Sequence, residues 1–412
     1  IIQSLSIIQS SNNFAHRKSQ QLESKMSFHP ASVSERFQEL FDTKPILVRS
    51  PGRINLIGEH TDYNDGFVMP AAIDRHIVIA IDFSIDSHST LFSVKHNEFF
   101  SFHTVDPERV KSPMWANYIL GVVRRVLDKG YTVKSFNCVI DGNVPTGAGL
   151  SSSAALECSF AFALDHLHKF NISKLELVLI SQWAEHNYAG VKCGIMDQFS
   201  SVMGLEGNAF VLDCRSLEYH YFPVDLSECA IILCDSMVKH SLASSEYNTR
   251  RSECEQGVRI IQESYPEIRS LRDATFSMLE TQRSVLPAKV YDRCLYVIQE
   301  NNRVLDAAKD LERGDLVAFG KKMFETHQGL SELYEVSCEE LDFLVDEAKK
   351  FKGVLGARMM GGGFGGCTIN FVSKHAIENF ITRIRKVYQE KFNVEMNTYV
   401  VSIKDGTGVL ED

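Results

Sequence analysis

Residues 142–157, Gly-Asn-Val-Pro-Thr-Gly-Ala-Gly-Leu-Ser-Ser-Ser-Ala-Ala-Leu-Glu, run a loop of small residues straight into the start of a helix. From Ser151 to His168 the residues Ala154, Cys158, Ala161, Leu164 and Leu167 recur at helical spacing, so the loop opens a buried helix. Pro145, Gly147 and Gly149 suit a tight turn whose backbone N–H groups approach an anion, and the serines place hydroxyls at the first helical turn. A phosphate cradle is expected. It is not a Walker A loop, because no Gly-Lys-Ser/Thr follows. Taken alone, a glycine-rich helix start capped by serine would read the same way.

Apolar runs at 46–49, 77–83 and 136–140 predict strands, and Ser173 to about Tyr188 predicts a helix with Leu177, Ile180 and Ala184 on one face. Beyond Asp225 the pattern restarts with a strand at Ala230–Cys234, then helices at 244–264, 286–312 and 314–333. The glycine-rich Met359–Cys367 precedes a strand at Thr368–Val372, and a last strand at Asn397–Ile403 follows one more helix. A chain of 412 residues exceeds one ordinary core. The expectation is an α+β fold of mixed sheets and helices in two lobes, residues 31–225 and 226–412, with the active site in the cleft between them. Residues 1–30 read as an unstructured segment rich in Ser, Gln and Asn, with Met26 as an alternative start. Arg17, Lys18 and Lys25 against Glu23 leave an organelle-targeting reading open there.

A net charge of -10 without a Lys/Arg run argues against nucleic acid as partner, and no apolar stretch reaches the roughly 20 residues that span a bilayer. The 10 cysteines lack both Cys-x-x-Cys and Cys/His ligand spacing, which argues against zinc and against a disulfide framework and fits reduced thiols in the cytoplasm.

Pro51 to Gly66 packs Arg53, Glu59, His60, Asp62 and Asp65 among turn-forming residues. Carboxylates that accept from hydroxyls, beside an imidazole that donates, suit a polyhydroxylated ligand; a solvated surface loop has the same composition.

Within this loop, Gly52-Arg53-Ile54-Asn55-Leu56-Ile57-Gly58-Glu59-His60-Thr61-Asp62-Tyr63-Asn64 resembles the galactokinase signature of the GHMP small-molecule kinases. Residues 142–157 resemble that superfamily's phosphate loop, and Met359–Cys367 its C-terminal glycine motif. Cys193-Gly194-Ile195-Met196-Asp197-Gln198-Phe199, Asp213-Cys214-Arg215-Ser216-Leu217-Glu218 and His240-Ser241-Leu242-Ala243-Ser244-Ser245-Glu246-Tyr247 resemble segments particular to galactokinases. The blocks follow the family's order over residues 46–404; Met360 departs from it, standing where galactokinases commonly carry Thr.

The resemblance implies a two-lobed GHMP-kinase-like fold and transfer of the γ-phosphate of ATP to the anomeric hydroxyl of α-D-galactose, giving galactose 1-phosphate and ADP in the Leloir pathway. It implies Arg53 and Asp197 as catalytic residues, with Glu59, His60, Asp62, Gly194 and Tyr247 joining them around the sugar. Glu59 and His60 are expected near the 6-hydroxyl and Asp62 near the 3- and 4-hydroxyls. ATP is expected against Trp115, Tyr118, Pro145, Gly147, Gly149, Leu150, Ser151, Ser152, Ser153 and Ala154. Trp115 and Tyr118 read equally well as plain core. Mg²⁺ is expected on Glu185 and on Ser153 or its neighbour Ser152, although Glu185 would also pass for an exposed helix acid. A cytoplasmic monomer without an obligate protein partner is expected.

Two other readings remain at this level. The family includes yeast proteins that bind galactose and ATP yet act as transcriptional sensors; they lack a Ser-Ala pair in the phosphate loop, which Ser153-Ala154 retains here. The same chemistry on N-acetylgalactosamine, galacturonate or arabinose would need a change in the sugar pocket, but the Glu59-His60 pair and Asp213–Glu218 look like galactokinase.

Overall fold

The computed structural model describes residues 28–238 and 243–411, with the backbone alone for 243–245. The expectations for residues 1–27, and for His240–Leu242 of the segment before Tyr247, lie outside the described residues. Just before residue 31, Phe28 rests edge-on against His76 with ring centroids 5.6 Å apart.

The first half is built on a six-stranded sheet. Its strands are β1 (Ile46–Asn55), β3 (Pro70–Phe83), β4 (Ser89–Ser93), β5 (Glu98–Phe102), β6 (Phe136–Gly142) and the C-terminal β13 (Gly408–Val409), in the order β13-β1-β3-β6-β4-β5. All neighbours are antiparallel except β4 and β6. One face carries α1 (Ala31–Phe41), whose Val33 and Phe37 pack on Val78, Ala80 and Val139. The other carries α2 (Ala116–Asp128), α3 (Ser152–His168) and α4 (Lys174–Ala184) over Ile79, Ile81, Cys138 and Ile140. The expected strands and loop-opened helix are all present.

The expected helix 173–188 divides. Ser173 caps its start by accepting from Glu176 N at 3.2 Å, α4 ends at Ala184, and one π-turn follows over Glu185–Ala189. Such a turn re-aims side chains and is frequent at functional sites. After it come α5 (Met196–Met203) and a small sheet of β2 (Phe67–Val68), β7 (Asn208–Asp213) and β8 (Tyr219–Pro223).

In the second half, β9 (Cys229–Asp235), β10 (Val354–Met359), β11 (Cys367–Ser373) and β12 (Asn397–Val401) form an antiparallel sheet in the order β10-β11-β9-β12. Between β9 and β10 run the helices α6 (Ala243–Ser264), α7 (Phe276–Thr281), α8 (Ala288–Glu312), α9 (Leu316–Glu332) and α10 (Glu339–Lys350). α11 (Ile377–Phe392) joins β11 to β12 and packs with α10 on the sheet.

The separation at residue 225 is not clean. The chain end, expected in the second lobe, returns as β13 to pair with Val48 and Arg49 of β1. A single apolar cluster also holds Ile54, Leu56 and Met69 of the first half together with Ile231, Leu233, Phe319 and Phe371 of the second. The two halves therefore share a core, and the site forms where β1 runs into it. Among the described residues no helix is long and apolar enough to cross a membrane.

Helix α9 approaches β10 through glycine on both sides. A Cβ on Gly320 would lie 2.1 Å from the Leu355 carbonyl oxygen, at the irregularity between Val354 and Gly356. Gly320→Ala should therefore cost about 3 kcal/mol or more, because backbone has to move. Urea denaturation checks this; unchanged stability would contradict so close a contact.

Candidate active site

The site begins at an irregularity in β1, where the pairing register with β3 shifts between Pro51 and Arg53. Gly52 lies against the phosphate loop there, and a Cβ would stand 2.7 Å from the Leu150 carbonyl oxygen. Arg53 N donates to that same oxygen at 3.2 Å, and its Nη1 donates to the Gly149 carbonyl at 2.5 Å. Its Nε donates to Asp197 Oδ1 at 2.8 Å, while Ser151 Oγ donates to Asp197 Oδ2 at 2.6 Å. Asp197 sits in the first turn of α5, so strand, loop and helix meet on one carboxylate. Burial alone would weaken the Arg53 charge, but Asp197, Glu59 and Asp62 outweigh it and hold the guanidinium above its ordinary pKa.

Ser151 adopts a left-handed conformation (φ 58°) and spends its hydroxyl on Asp197 instead of capping α3. The amides of the first helical turn thus receive no side-chain cap from Ser151, the arrangement that suits an anion. Gly147 and Gly149 have positive φ, as a tight turn requires. Leu150 and Ala154 put their side chains into the core, whereas Pro145 is half-buried at the loop's entry. The C-terminal glycine motif lies directly against this loop: a Cβ on Gly361 would be 3.5 Å from Gly149 Cα. Met360 is buried in the shared core and its amide closes the turn on Cys367 O at 3.0 Å.

On one side of the Arg53–Asp197 pair is a cavity of about 460 Å³, into which Glu59, His60, Asp62, Tyr247 and Glu185 also project. Glu59 is buried and anchored from behind: Arg358 Nη1 donates to its Oε2 at 2.8 Å and Gly361 N at 3.0 Å. Burial opposes its charge, but Arg358 and Arg53 prevail and lower its pKa. His60 has φ 61° and hydrogen-bonds Tyr63 through Nδ1 at 2.8 Å, and burial pushes its pKa down to about 4. Asp62 is pushed up to about 7, first by burial and then by Asp197 and Glu59. Gly194 accommodates that carboxylate, since a Cβ there would fall 1.9 Å from Asp62 Oδ2.

On the other side, Trp115, Tyr118, Ile77, Val144, Ser152 and Ser153 line a smaller, mainly apolar cavity of about 190 Å³. Trp115 and Tyr118 are thus cavity walls, half-buried against the first-half core. Lys95, at the β4–β5 turn, reaches across to hydrogen-bond Thr146 of the phosphate loop.

Ser153, lining the apolar cavity, and Glu185, lining the polar one, come together between the two, and the Ser153 hydroxyl favours the ionised form of Glu185. The π-turn carries Glu185 inward to 6% exposure, so it is not the exposed helix acid its sequence context allowed. Burial and then Asp197 raise its pKa. Gln198 Nε2 ties it to Glu157, donating to Glu185 Oε2 at 2.5 Å and to Glu157 Oε2 at 3.2 Å. Glu157 is fully buried with Oε1 unpartnered, and burial followed by Glu185 lifts its pKa far above normal. Oxygen donors beside carboxyl groups whose pKa burial raises suit a hard divalent cation, whose charge would favour their ionised form. No group of three or more His, Cys, Asp or Glu side chains converges as a metal site among the described residues.

Sequence reasoning missed Arg358, Glu157, Gln198 and Lys95. An arginine within the apolar strand Val354–Met359, running into a glycine motif, was the available signal for Arg358; the others become visible only once the chain is folded. The Asp62 shift has a consequence for stability. Its folded pKa lies above the unfolded 3.8, so its contribution is full below that value and is lost as pH rises towards 7. Asp62→Asn should therefore gain on the wild type between pH 5 and pH 8, by about 2 °C in Tm or more. A Tm difference that does not change with pH would contradict the shift.

The chain matches the galactokinase galactose-binding signature over residues 35–83, the GHMP kinases N terminal domain over 117–205 and the GHMP kinases C terminal domain over 307–390. It is 41% identical over 382 residues to a galactokinase of Roseiflexus sp. (strain RS-1), covering 92% of this chain and 97% of the relative. A galactokinase of Thermotoga neapolitana is 43% identical over 360 residues, covering 87% and 98%. The crystal structure of Lactococcus lactis galactokinase complexed with galactose superimposes with a TM-score of 0.88 at 35% identity, covering 92% of this chain and 99% of that one. The Methanococcus jannaschii mevalonate kinase, at 18% identity and a TM-score of 0.64 over 88% and 99%, shares the fold. Signature, length, identity and architecture agree, and the chain belongs to the galactokinase family of the GHMP kinases.

Proposed function

We propose that this enzyme transfers the γ-phosphoryl group of ATP to the anomeric hydroxyl of α-D-galactose, giving galactose 1-phosphate and ADP. The observation that carries this reading is the Arg53–Asp197 pair, set between a polar cavity and the serine end of the phosphate loop. In the polar cavity Glu59, His60, Asp62 and Tyr247 would hold the sugar, with Gly194 leaving room for Asp62. A site built to bond each hydroxyl rejects an epimer strongly, because buried partners are left unpaired, so glucose should be a poor substrate. In the apolar cavity Trp115 and Tyr118 would receive the base, and the first-turn amides of α3 the phosphates.

The anomeric oxygen attacks the γ-phosphorus as the bond to the β-phosphate oxygen breaks, and the hydroxyl proton passes to Asp197. Both Asp197 oxygens already accept hydrogen bonds, and a loose phosphoryl-transfer transition state asks little of a base. Orienting the hydroxyl is therefore the main task of Asp197, while Arg53 offsets charge building on the transferred group. Ser153 and Glu185 would hold Mg²⁺, the shell being completed by oxygens of ATP. Such an ion neutralises phosphate charge when bound. All of these side chains come from one chain, so turnover by the monomer is part of the reading. The ten free thiols suit the reducing cytoplasm as its location.

ADP release with MgATP and galactose, glucose, N-acetylgalactosamine, galacturonate or arabinose tests the assignment. Fast turnover is expected with galactose alone; saturable galactose binding without turnover on any sugar would point instead to a sensor. Asp197→Ala should abolish turnover while ADP affinity stays within about twofold, and full activity in that variant would overturn its role.

A further inference from the structure

His60 is the inner end of a hydrogen-bond chain that crosses between the halves of the molecule. Its Nδ1 lies 2.8 Å from Tyr63 Oη, which lies 2.8 Å from Tyr334 Oη, which lies 3.2 Å from Cys254 Sγ. Tyr334 and Cys254 are completely buried and His60 is 3% exposed, while Tyr63 is half-buried between them. Tyr334 is held further by Arg250, whose Nε donates to its carbonyl at 2.7 Å, and by the Tyr296 ring at 4.8 Å. The opposite imidazole nitrogen, Nε2, is buried without a hydrogen-bond partner of ordinary geometry, and the ring lines the polar cavity near the Gly362 backbone, which acts as an acceptor to raise its pKa against burial.

The chain has a preferred direction. Burial lowers the His60 pKa to about 4, raises Cys254 to about 12 and lifts both tyrosines far above their usual value, so at neutral pH the thiol and phenols keep their protons and the imidazole carries one. If His60 donated through Nδ1, the chain would end with a phenol donating to sulfur, a weak acceptor. In the reverse sense Cys254 donates to Tyr334, Tyr334 to Tyr63, and Tyr63 to the imidazole nitrogen, so that each phenol proton goes to oxygen or nitrogen.

We propose that Tyr63 and Tyr334 are positioning residues that hold His60 as its Nε2–H tautomer, so that this N–H donates to one hydroxyl of the bound sugar. The proposal rests on the galactokinase reading for the identity of the ligand. It makes the two tyrosines and Cys254, none of which needs to touch substrate, determinants of sugar recognition.

Two measurements test it. Kinetics of the wild type, Tyr63→Phe and Tyr334→Phe are compared on galactose and its 2-, 3-, 4- and 6-deoxy analogues. Tyr63→Phe should raise KM for galactose about tenfold, leave kcat and the KM for ATP within twofold, and lose its penalty on the one analogue lacking the contacted hydroxyl. Tyr334→Phe should show the same pattern more weakly. An equal penalty on every sugar, or none, would overturn the proposal. Imidazole ¹⁵N NMR of the ligand-free wild type, with His60 assigned by loss of its signals in His60→Gln, should show the proton on Nε2; a proton on Nδ1 would also overturn it. If no sugar is turned over, the functional reading fails, while the NMR still decides the tautomer.

Discussion

A guanidinium buried between two halves of a chain has to find an anion, and Arg53 finds Asp197. Arg53 is the buried member, and leaving its charge without the half-buried Asp197 would cost several kcal/mol. The contact therefore fixes β1, the phosphate loop and α5 relative to one another. Ser151 and the Gly149 carbonyl complete the pair's hydrogen bonding, so the loop's geometry follows from the same electrostatic demand. In the proposed reaction the attacking hydroxyl and the transferred phosphoryl group meet here.

A second buried pair does the same work from the other half. Arg358, entirely buried in β10, donates to Glu59 and to the carbonyls of Leu56, Asn55 and Met359, tying the polar loop after β1 to the second sheet. Glu59 also takes the Gly361 amide, and Gly361 lies against the phosphate loop, so the glycine motif connects the two anchors. Asp62 sits within this framework without a cation of its own. Its raised pKa is the cost first of burial and then of crowding carboxylates around a ligand-sized cavity.

Much of this was legible beforehand. The loop-helix junction at 142–157, the strands at 46–49, 77–83 and 136–140, and the dense polar loop after β1 all declare themselves through local periodicity and turn residues. Less legible were features that arise from packing. Nothing local separates Ala184 from Glu185, yet a π-turn starts there and buries the acid. β13 is two residues long and pairs across the whole chain with β1, and so short a strand carries no periodic signal. Glu157 reads as a polar position on a helix of small residues and proves to be completely buried, held to Glu185 through Gln198. Trp115 and Tyr118 could not be told from core by type, because the walls of an apolar cavity are made of the same residues.

The central claim is that Arg53 and Asp197 act as a unit. A double-mutant cycle on kcat with Arg53→Gln, Asp197→Asn and the double variant tests it most directly. Each single change should lower kcat by about a hundredfold or more, and the double variant should be little worse than the worse single. Losses that multiply would show two independent groups and contradict the account.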